Sequence, residues 1–169
     1  SGIIYEDDGT EMARIHNSSS DVILETKVSD KDLLIKGNDG GSTVTPATFD
    51  MSAKGKLIMG AGAAGSTQTA GSQTGSVTLD FDTYQNFVLT ATGNVTLANP
   101  STESVGQSGI IVFVQDGTGS RTLSLGTDYE TAGGAGLTIS TAASAVDVIP
   151  YFVKASGSIQ LGAPQLAFA

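Results

Sequence analysis

The chain has 169 residues, 8 basic and 17 acidic, for a formal net charge of −9, and it contains no cysteine. That balance disfavours a nucleic-acid backbone as partner and offers no basic patch to an anionic lipid surface. No stretch approaches the ~20 apolar residues that a membrane-spanning helix needs. Without thiols there are neither disulfides nor thiolate metal sites, so packing and hydrogen bonds must hold the fold.

Ser1-Gly2 reads as a cut point within a longer chain or as a cloning scar, and nothing after it reads as a signal peptide. Helical periodicity is nearly missing, and period-two alternation takes its place. "EDDGTE" (6–11) predicts a hairpin tip. In "DVILETKV" Val22, Leu24 and Val28 share one face, with Asp21, Glu25 and Lys27 on the other. In "KDLLIK" Leu33 and Ile35 share a face, whereas Ile23 and Leu34 sit opposite their neighbours' stripe. "GNDGG" (37–41) predicts a turn, since these residues tolerate positive φ. "STVTPATFDM" follows as an extended piece, with Pro46 marking an edge or irregularity.

Fewer than sixty residues without disulfides or metal are marginal as a lone domain. These strands are therefore expected to bury their stripes against copies of themselves, which would also pair exposed strand edges. The alternative is that they pack on the remainder of the chain.

Next comes "KLIMGAGAAGSTQTAGSQTG" (56–75). Gly60, Gly62 and Gly65 match G-x-G-x-x-G behind a short apolar run, and Asp80 and Asp82 lie near the distance of a ribose-binding acid. A dinucleotide fingerprint needs a helix that starts inside it, because the helix N-terminus holds the phosphate. Residues 66–75 contain no Leu, Ile, Val, Met or Phe, and they are rich in poor helix formers. The nucleotide reading fails, and a flexible or extended connector takes its place. Charge agrees, since 16 of the 25 charged residues fall in 1–59 and nine in 76–169. Three parts follow: an N-terminal β-rich module (1–59), a Gly/Ser/Thr linker (60–75) and a C-terminal β-sandwich domain (76–169); the resemblance given below makes the first a fibre or trimerisation module.

Beyond the linker, "SVTLDF" places Val77, Leu79 and Phe81 on one face. "NFVLTA", "NVTLAN", "RTLSL" and "GLTIS" predict short strands, and "TGN", "DGTGS", "GGAG" and "ASGS" predict turns. "GIIVFVQ" (109–115) is a continuous apolar run that suits a central strand buried on both faces. "AVDVIPYFVK" is similar, with Pro150 interrupting its ladder. Many short strands between frequent turns predict a sandwich, jelly roll or barrel.

Residues that could carry chemistry are few. His16 is the only histidine and has no evident triad partner, so it reads as a solvated or interchain polar residue. One His without Cys argues against a His-based metal site. The carboxylate pairs Asp7/Asp8, Asp30/Asp32, Asp80/Asp82 and Asp128/Glu130 raise the sugar-cleaving arrangement of two acids, but each reads as a solvated face. Clustered oxygens for calcium are the lesser reading, and no EF-hand loop is present. Tyr5, Tyr84, Tyr129 and Tyr151 are the candidate sugar-stacking rings, with core or edge packing as the default for each. The acceptor triplets at Asn17 and Asn94 read as chance matches. No catalytic, cofactor-binding or metal residue is assigned.

"NSSSDVILETKVSDKDLLIKGNDGGSTVTPATFDMSAKGKLIMG" (17–60) resembles a segment of tail fibres, tail spikes and other appendage proteins of tailed bacteriophages, particularly marine ones. "GNVTLANPST", "GQSGIIVFVQDGTGSRTLSLG" and "SAVDVIPYFV" resemble a phage fibre C-terminal domain. The resemblance implies a homotrimeric virion protein on the particle surface, extended along a threefold axis, with a β-rich distal or capping domain. Its implied partners are other virion proteins and a host surface glycan or outer-membrane receptor, with no nucleic acid, no membrane insertion and no cofactor. The expected function is structural and adhesive rather than enzymatic. The alternatives are a capsid-surface fibre or decoration protein, a polysaccharide-degrading spike and a secreted bacterial adhesin module.

Overall fold

A computed structural model describes residues 2–168, which fall into two compact units, Ser1–Ala64 and Gly65–Ala169. The first unit is two three-stranded antiparallel meanders: β1 (Gly2–Asp7), β2 (Thr10–Ser18) and β3 (Asp21–Thr26), then β4 (Leu33–Asp39), β5 (Ser42–Asp50) and β6 (Lys56–Met59). Two-residue loops set the registers. Asp8 and Gly9 (φ 48° and 75°) join β1 to β2, with Asp7 paired to Thr10, so the predicted tip at 6–11 is a tight hairpin. Gly40 and Gly41 (φ 58° and 93°) join β4 to β5, and the Asn38 side-chain oxygen accepts from the Gly41 N–H at 2.8 Å. Two consecutive positive φ values match the right-handed strand twist. The β2–β3 loop has the same signs at Ser19 and Ser20 (φ 52° and 76°), where neither residue is suited to them.

Each meander separates its faces. In the first, Ile3, Ile15 and Leu24 lie side by side across the three strands, with Tyr5 beside Ala13. The opposite face carries charge: Arg14 grips Glu11 through two bonds of 2.7 and 2.8 Å, and Lys27 donates to Glu25 at 3.0 Å. In the second meander Leu33, Phe49 and Leu57 align, and so do Ile35, Ala47 and Met59. A register shift between Ile35 and Gly37 falls opposite Pro46, where the missing N–H costs no ladder bond. None of residues 2–64 is buried.

The second unit is an all-β, sandwich-like fold made by curling one eight-stranded sheet. Its strands are β7 (Thr67–Thr78), β8 (Asn86–Ala98), β9 (Ser108–Gln115), β10 (Leu123–Leu125), β11 (Tyr129–Glu130), β12 (Val146–Ala155), β13 (Ser158–Leu161) and β14 (Gln165–Phe168). Thus most of the stretch read as a linker over 60–75 is strand. Its Gln68 and Ala70 align with Phe87 and Leu89 of β8, and that pairing gives a polar sequence its extended form. β7, β9 and β10 all run parallel to β8. Ala70, Leu89 and Phe113 form one inward row, and Gln68, Phe87 and Ile111 another. β7 bends at Ser72 and Gly75 (φ 56° and 71°), where its register with β8 shifts, so residues 79–85 suffice to return the chain. That crossover is itself core, since Leu79 and Phe81 are buried.

Four local expectations differ from the structure. "TGN" (92–94) is no turn but lies inside β8, which joins two predicted strands into one. "GLTIS" is loop rather than strand, yet Leu137 and Ile139 still pack on the core. Side chains replace its ladder: Asp147 accepts from the Ser140 N–H, and Gln115 donates to the Ser140 carbonyl at 2.8 Å. Only Leu123–Leu125 of "RTLSL" is strand. Neither "GIIVFVQ" nor "AVDVIPYFVK" is buried on two faces: Ile111, Phe113, Ile149 and Tyr151 point inward, while Ile110, Val112, Val114, Val148 and Phe152 face outward.

Gly109 opens that run because a Cβ there would strike the Gln85 carbonyl and press on the Tyr151 ring. Pro150 sits where the partner of β12 changes from β13 to β14, so its absent N–H is not needed, and its carbonyl accepts from the Gly162 N–H at 2.9 Å.

Buried polar groups close the unit. Asp147 is 1 % exposed and accepts from Ser140 N (2.6 Å), Ser140 Oγ (2.7 Å) and Ala167 N (2.9 Å), tying a loop and β14 to β12. Asp116, half-buried, accepts from Arg121 Nη2 at 2.7 Å and from the Thr118 and Gly119 N–H groups. The Arg121 bond, aided by those amides, lowers the Asp116 carboxyl from its ordinary 3.8 to about 2.

Three outcomes are expected. Asp147→Ala strands its donors and costs about 2–4 kcal/mol, read as a lower urea midpoint. The Asp116 contribution is complete above pH 3.8 and fades as pH falls toward 2; Arg121→Met therefore shows a shallower loss of urea stability across that window than the parent chain. Ser19→Asn with Ser20→Gly gives the β2–β3 loop its preferred residues and adds about 1 kcal/mol, seen as a higher melting temperature.

Candidate functional site

The structure disperses the residues that could carry chemistry and uses them as structural parts. Gly60 follows β6 and donates its N–H to the Pro46 carbonyl at 2.9 Å, and a Cβ on it would strike the Thr45 carbonyl. After Gly65 the chain enters β7, so no helix N-terminus faces a phosphate. Asp80 caps the turn at Thr83, accepting its N–H at 3.1 Å, and Asp82 is exposed beside it.

The other acids are engaged in the same way. Asp32 accepts from the Met51 N–H at 3.1 Å, and Asp30 stands in a turn with φ 58°. Asp7 ends β1, and Asp8 lies in the first hairpin tip. Glu130 accepts from Ser158 Oγ at 2.7 Å and from Lys154 Nζ at 3.1 Å, and these bonds hold its carboxyl below the usual range. Its neighbour Asp128 accepts from the Thr127 hydroxyl at 3.4 Å. His16 Nε2 lies 3.3 Å from Glu25 Oε2, on the charged face of the first meander, without a well-directed hydrogen bond. Among the described residues no group of three or more His, Asp or Glu is placed to hold a metal ion.

The four tyrosines divide. Tyr151 is core: its hydroxyl donates to the Gln85 carbonyl at 2.6 Å, and its ring meets Phe81 edge-on at 5.2 Å. Tyr129 is core as well, and burial pushes its phenol well above the ordinary 10. Tyr84 is half-buried, and Tyr5 lies on the open apolar face of the first meander. Asn17 Nδ2 donates to the Asp21 carbonyl, and Asn94 Oδ1 accepts from Thr122 N, so both stabilise turns or strand ends.

What remains are surfaces. In the first unit the apolar faces are open: Ile3 is 70 % exposed, Val22 82 %, and Leu24, Leu57 and Met59 about half. Covering such faces stabilises by roughly 25 cal/mol per Å², about 1 kcal/mol for each half-exposed side chain. In the second unit a cavity of about 770 Å³ opens between β10, β11 and the glycine-rich stretch around the 3-10 turn Ala132–Gly134. Leu123, Leu125 and Leu137 give it an apolar floor, and Ser124, Glu130 and Thr131 a polar rim. A second cavity of about 330 Å³ adjoins the same stretch on the side of Leu161–Pro164. Gly133, Gly134 and Gly136 all have positive φ, which shapes the loop between the two cavities. Sequence reading marked "GGAG" only as a turn. Two concavities beside one loop arise from tertiary packing and leave no spacing to read.

A family model described as "Putative phage tail fibre C-terminal domain" matches residues 73–158, just over half of the chain. The match runs from within β7 to the start of β13, so it takes in the parallel strands and the β9–β12 pair. Comparison with curated proteins and with solved structures gives no match. The chain belongs to this family of phage tail fibre C-terminal domains, and it is a structural component of the tail fibre on the virion particle.

Proposed function

We propose that this chain is part of a homotrimeric tail fibre that attaches the virion to the host surface. In this reading Ser1–Ala64 is the trimerisation module and Gly65–Ala169 the distal β-rich domain that meets the host. The carrying observation is the first unit: none of its described residues is buried, yet both meanders present aligned apolar rows. A surface of that kind needs cover to be stable in water. Identical copies provide it without any further gene product, and closed symmetry is the usual outcome of such contacts.

Attachment then works by multiplicity. Three identical distal domains present three contacts, so weak single-site binding gains through effective concentration. The cavities beside the glycine-rich stretch 131–137 are the surface on which we place host contact, with a surface glycan or an outer-membrane protein as the receptor. The second unit carries only nine charged residues, so its adhesion does not depend on long-range attraction that salt would screen. No catalytic step enters this reading, since the paired acids serve turns and ion pairs.

Light scattering on the purified chain is expected to give the mass of three copies, with a melting temperature that rises with protein concentration. A mass of one copy with a single cooperative melt would overturn the trimer. Labelled protein is expected to bind host cells equally at low and high salt. Steep loss of adhesion with salt would overturn the account of attachment, and so would undiminished adhesion after Gly134 and Gly136 are both replaced by bulky residues.

A further inference from the structure

A short strand edge in the second unit is left without a partner, and a cavity lies against it. β10 is held to β8 through alternate residues: the Val95 N–H goes to the Thr122 carbonyl at 2.9 Å, and the Gly126 N–H to the Leu97 carbonyl at 2.7 Å. Successive residues of a strand turn their N–H and C=O groups to opposite edges, so those of Leu123 and Leu125 point away from β8. Among the described residues no strand pairs with that edge, and neither leucine has another main-chain partner. Beside β11 the Asp128 carbonyl accepts from the Ile159 N–H of β13 at 2.7 Å, so the Tyr129 carbonyl faces the other way and receives no N–H. Leu123, Leu125 and Tyr129 all line the cavity of about 770 Å³, and Gly134–Leu137 line it too. "GLTIS" (136–140) begins there, alternates like a strand and is paired with none among the described residues. Buried main-chain groups are almost always paired, and Leu123 is only 8 % exposed. A free edge beside a cavity is a template on which an added strand forms its ladder.

The lining distinguishes between occupants. A sugar needs stacking rings or directed polar side chains, and the one ring here, Tyr129, is core with its hydroxyl buried. An extended polypeptide needs main-chain partners, which the edge offers, and room for alternate apolar side chains, which Leu123, Leu125 and Leu137 floor. Charge adds a preference. Thr122 to Ala145 holds two acids, Asp128 and Glu130, and no base. Lys154 offsets Glu130 at 3.1 Å, and among the described residues no basic side chain pairs with Asp128. A lysine or arginine flanking an incoming strand complements that charge.

We infer that this cavity takes an extended polypeptide segment, apolar at alternate positions and basic at one end, which adds to β10 as a strand. The inference deepens the attachment proposed above and rests on it in one respect: the segment belongs to an outer-membrane protein of the host rather than to a glycan.

The test uses the full chain and a panel of short peptides with valine, leucine or phenylalanine at alternate positions, threonine between them and lysine at one end. Binding is read by fluorescence anisotropy. Leu125→Pro removes a free-edge N–H without taking a bond from β8, whereas Leu125→Ala trims the same side chain and keeps the N–H. Peptides from the panel are expected to bind, and about tenfold more weakly to Leu125→Pro than to Leu125→Ala. No binding by any member, or equal affinity of the two variants, would overturn the added strand. Should Leu125→Pro fail to fold, the bound peptide is N-methylated at one or the other alternate set of residues; equal affinity of the parent and both methylated forms would overturn it as well. A saturating peptide is also expected to block adhesion of the labelled chain to host cells. Adhesion that survives the peptide would overturn the protein receptor in favour of a glycan. Absence of adhesion without peptide would overturn the attachment reading itself, and peptide binding to the purified chain still decides the strand.

Discussion

Apolar side chains on a β-sheet must be covered, and in this chain the supply of cover differs sharply along the sequence. The second unit curls one sheet so that its inner rows cover each other: Phe87, Leu89, Ile111 and Phe113 are essentially inaccessible to water. The first unit has the same alternation but no second layer, and its rows stay open. A sheet with one apolar face and no opposing layer is half of a core.

The parallel stacking of β7, β8 and β9 carries the same logic inside one chain. Each successive strand lays its inward residues over those before it, so Ala70, Leu89 and Phe113 make a column rather than a hairpin contact. The outermost strand, β7, contributes small or polar residues to these columns, and the later strands contribute large ones. That taper lets a sequence with almost no large apolar residue belong to a core.

Much of the fold was legible in the sequence. Alternation located β3 and β4, and "EDDGTE" and "GNDGG" marked a hairpin tip and a turn that the backbone bears out with paired positive φ values. The strand Thr67–Thr78 was not legible, because its order comes from a neighbour and not from its own composition. "GLTIS" misled for the opposite reason: its alternation is real, but its backbone is satisfied by the side chains of Asp147 and Gln115. Strand direction escaped as well, since short segments between turns suggest hairpins whether or not the chain crosses over. For the candidate site, Asp80 is a turn cap, Glu130 an ion-pair partner, and Tyr129 and Tyr151 are core. The cavities arise where a glycine-rich loop folds back over strand ends, which no local pattern encodes.

The two-residue loops of the meanders bear on the order of events. Each strand in the first unit pairs with its neighbour in the chain, so all of its contacts are local and form early. The sheet of the second unit instead joins segments far apart in sequence, such as β9 with β12, and such topologies fold more slowly. A newly made chain therefore has its meanders shaped while the sheet of its second unit is still closing.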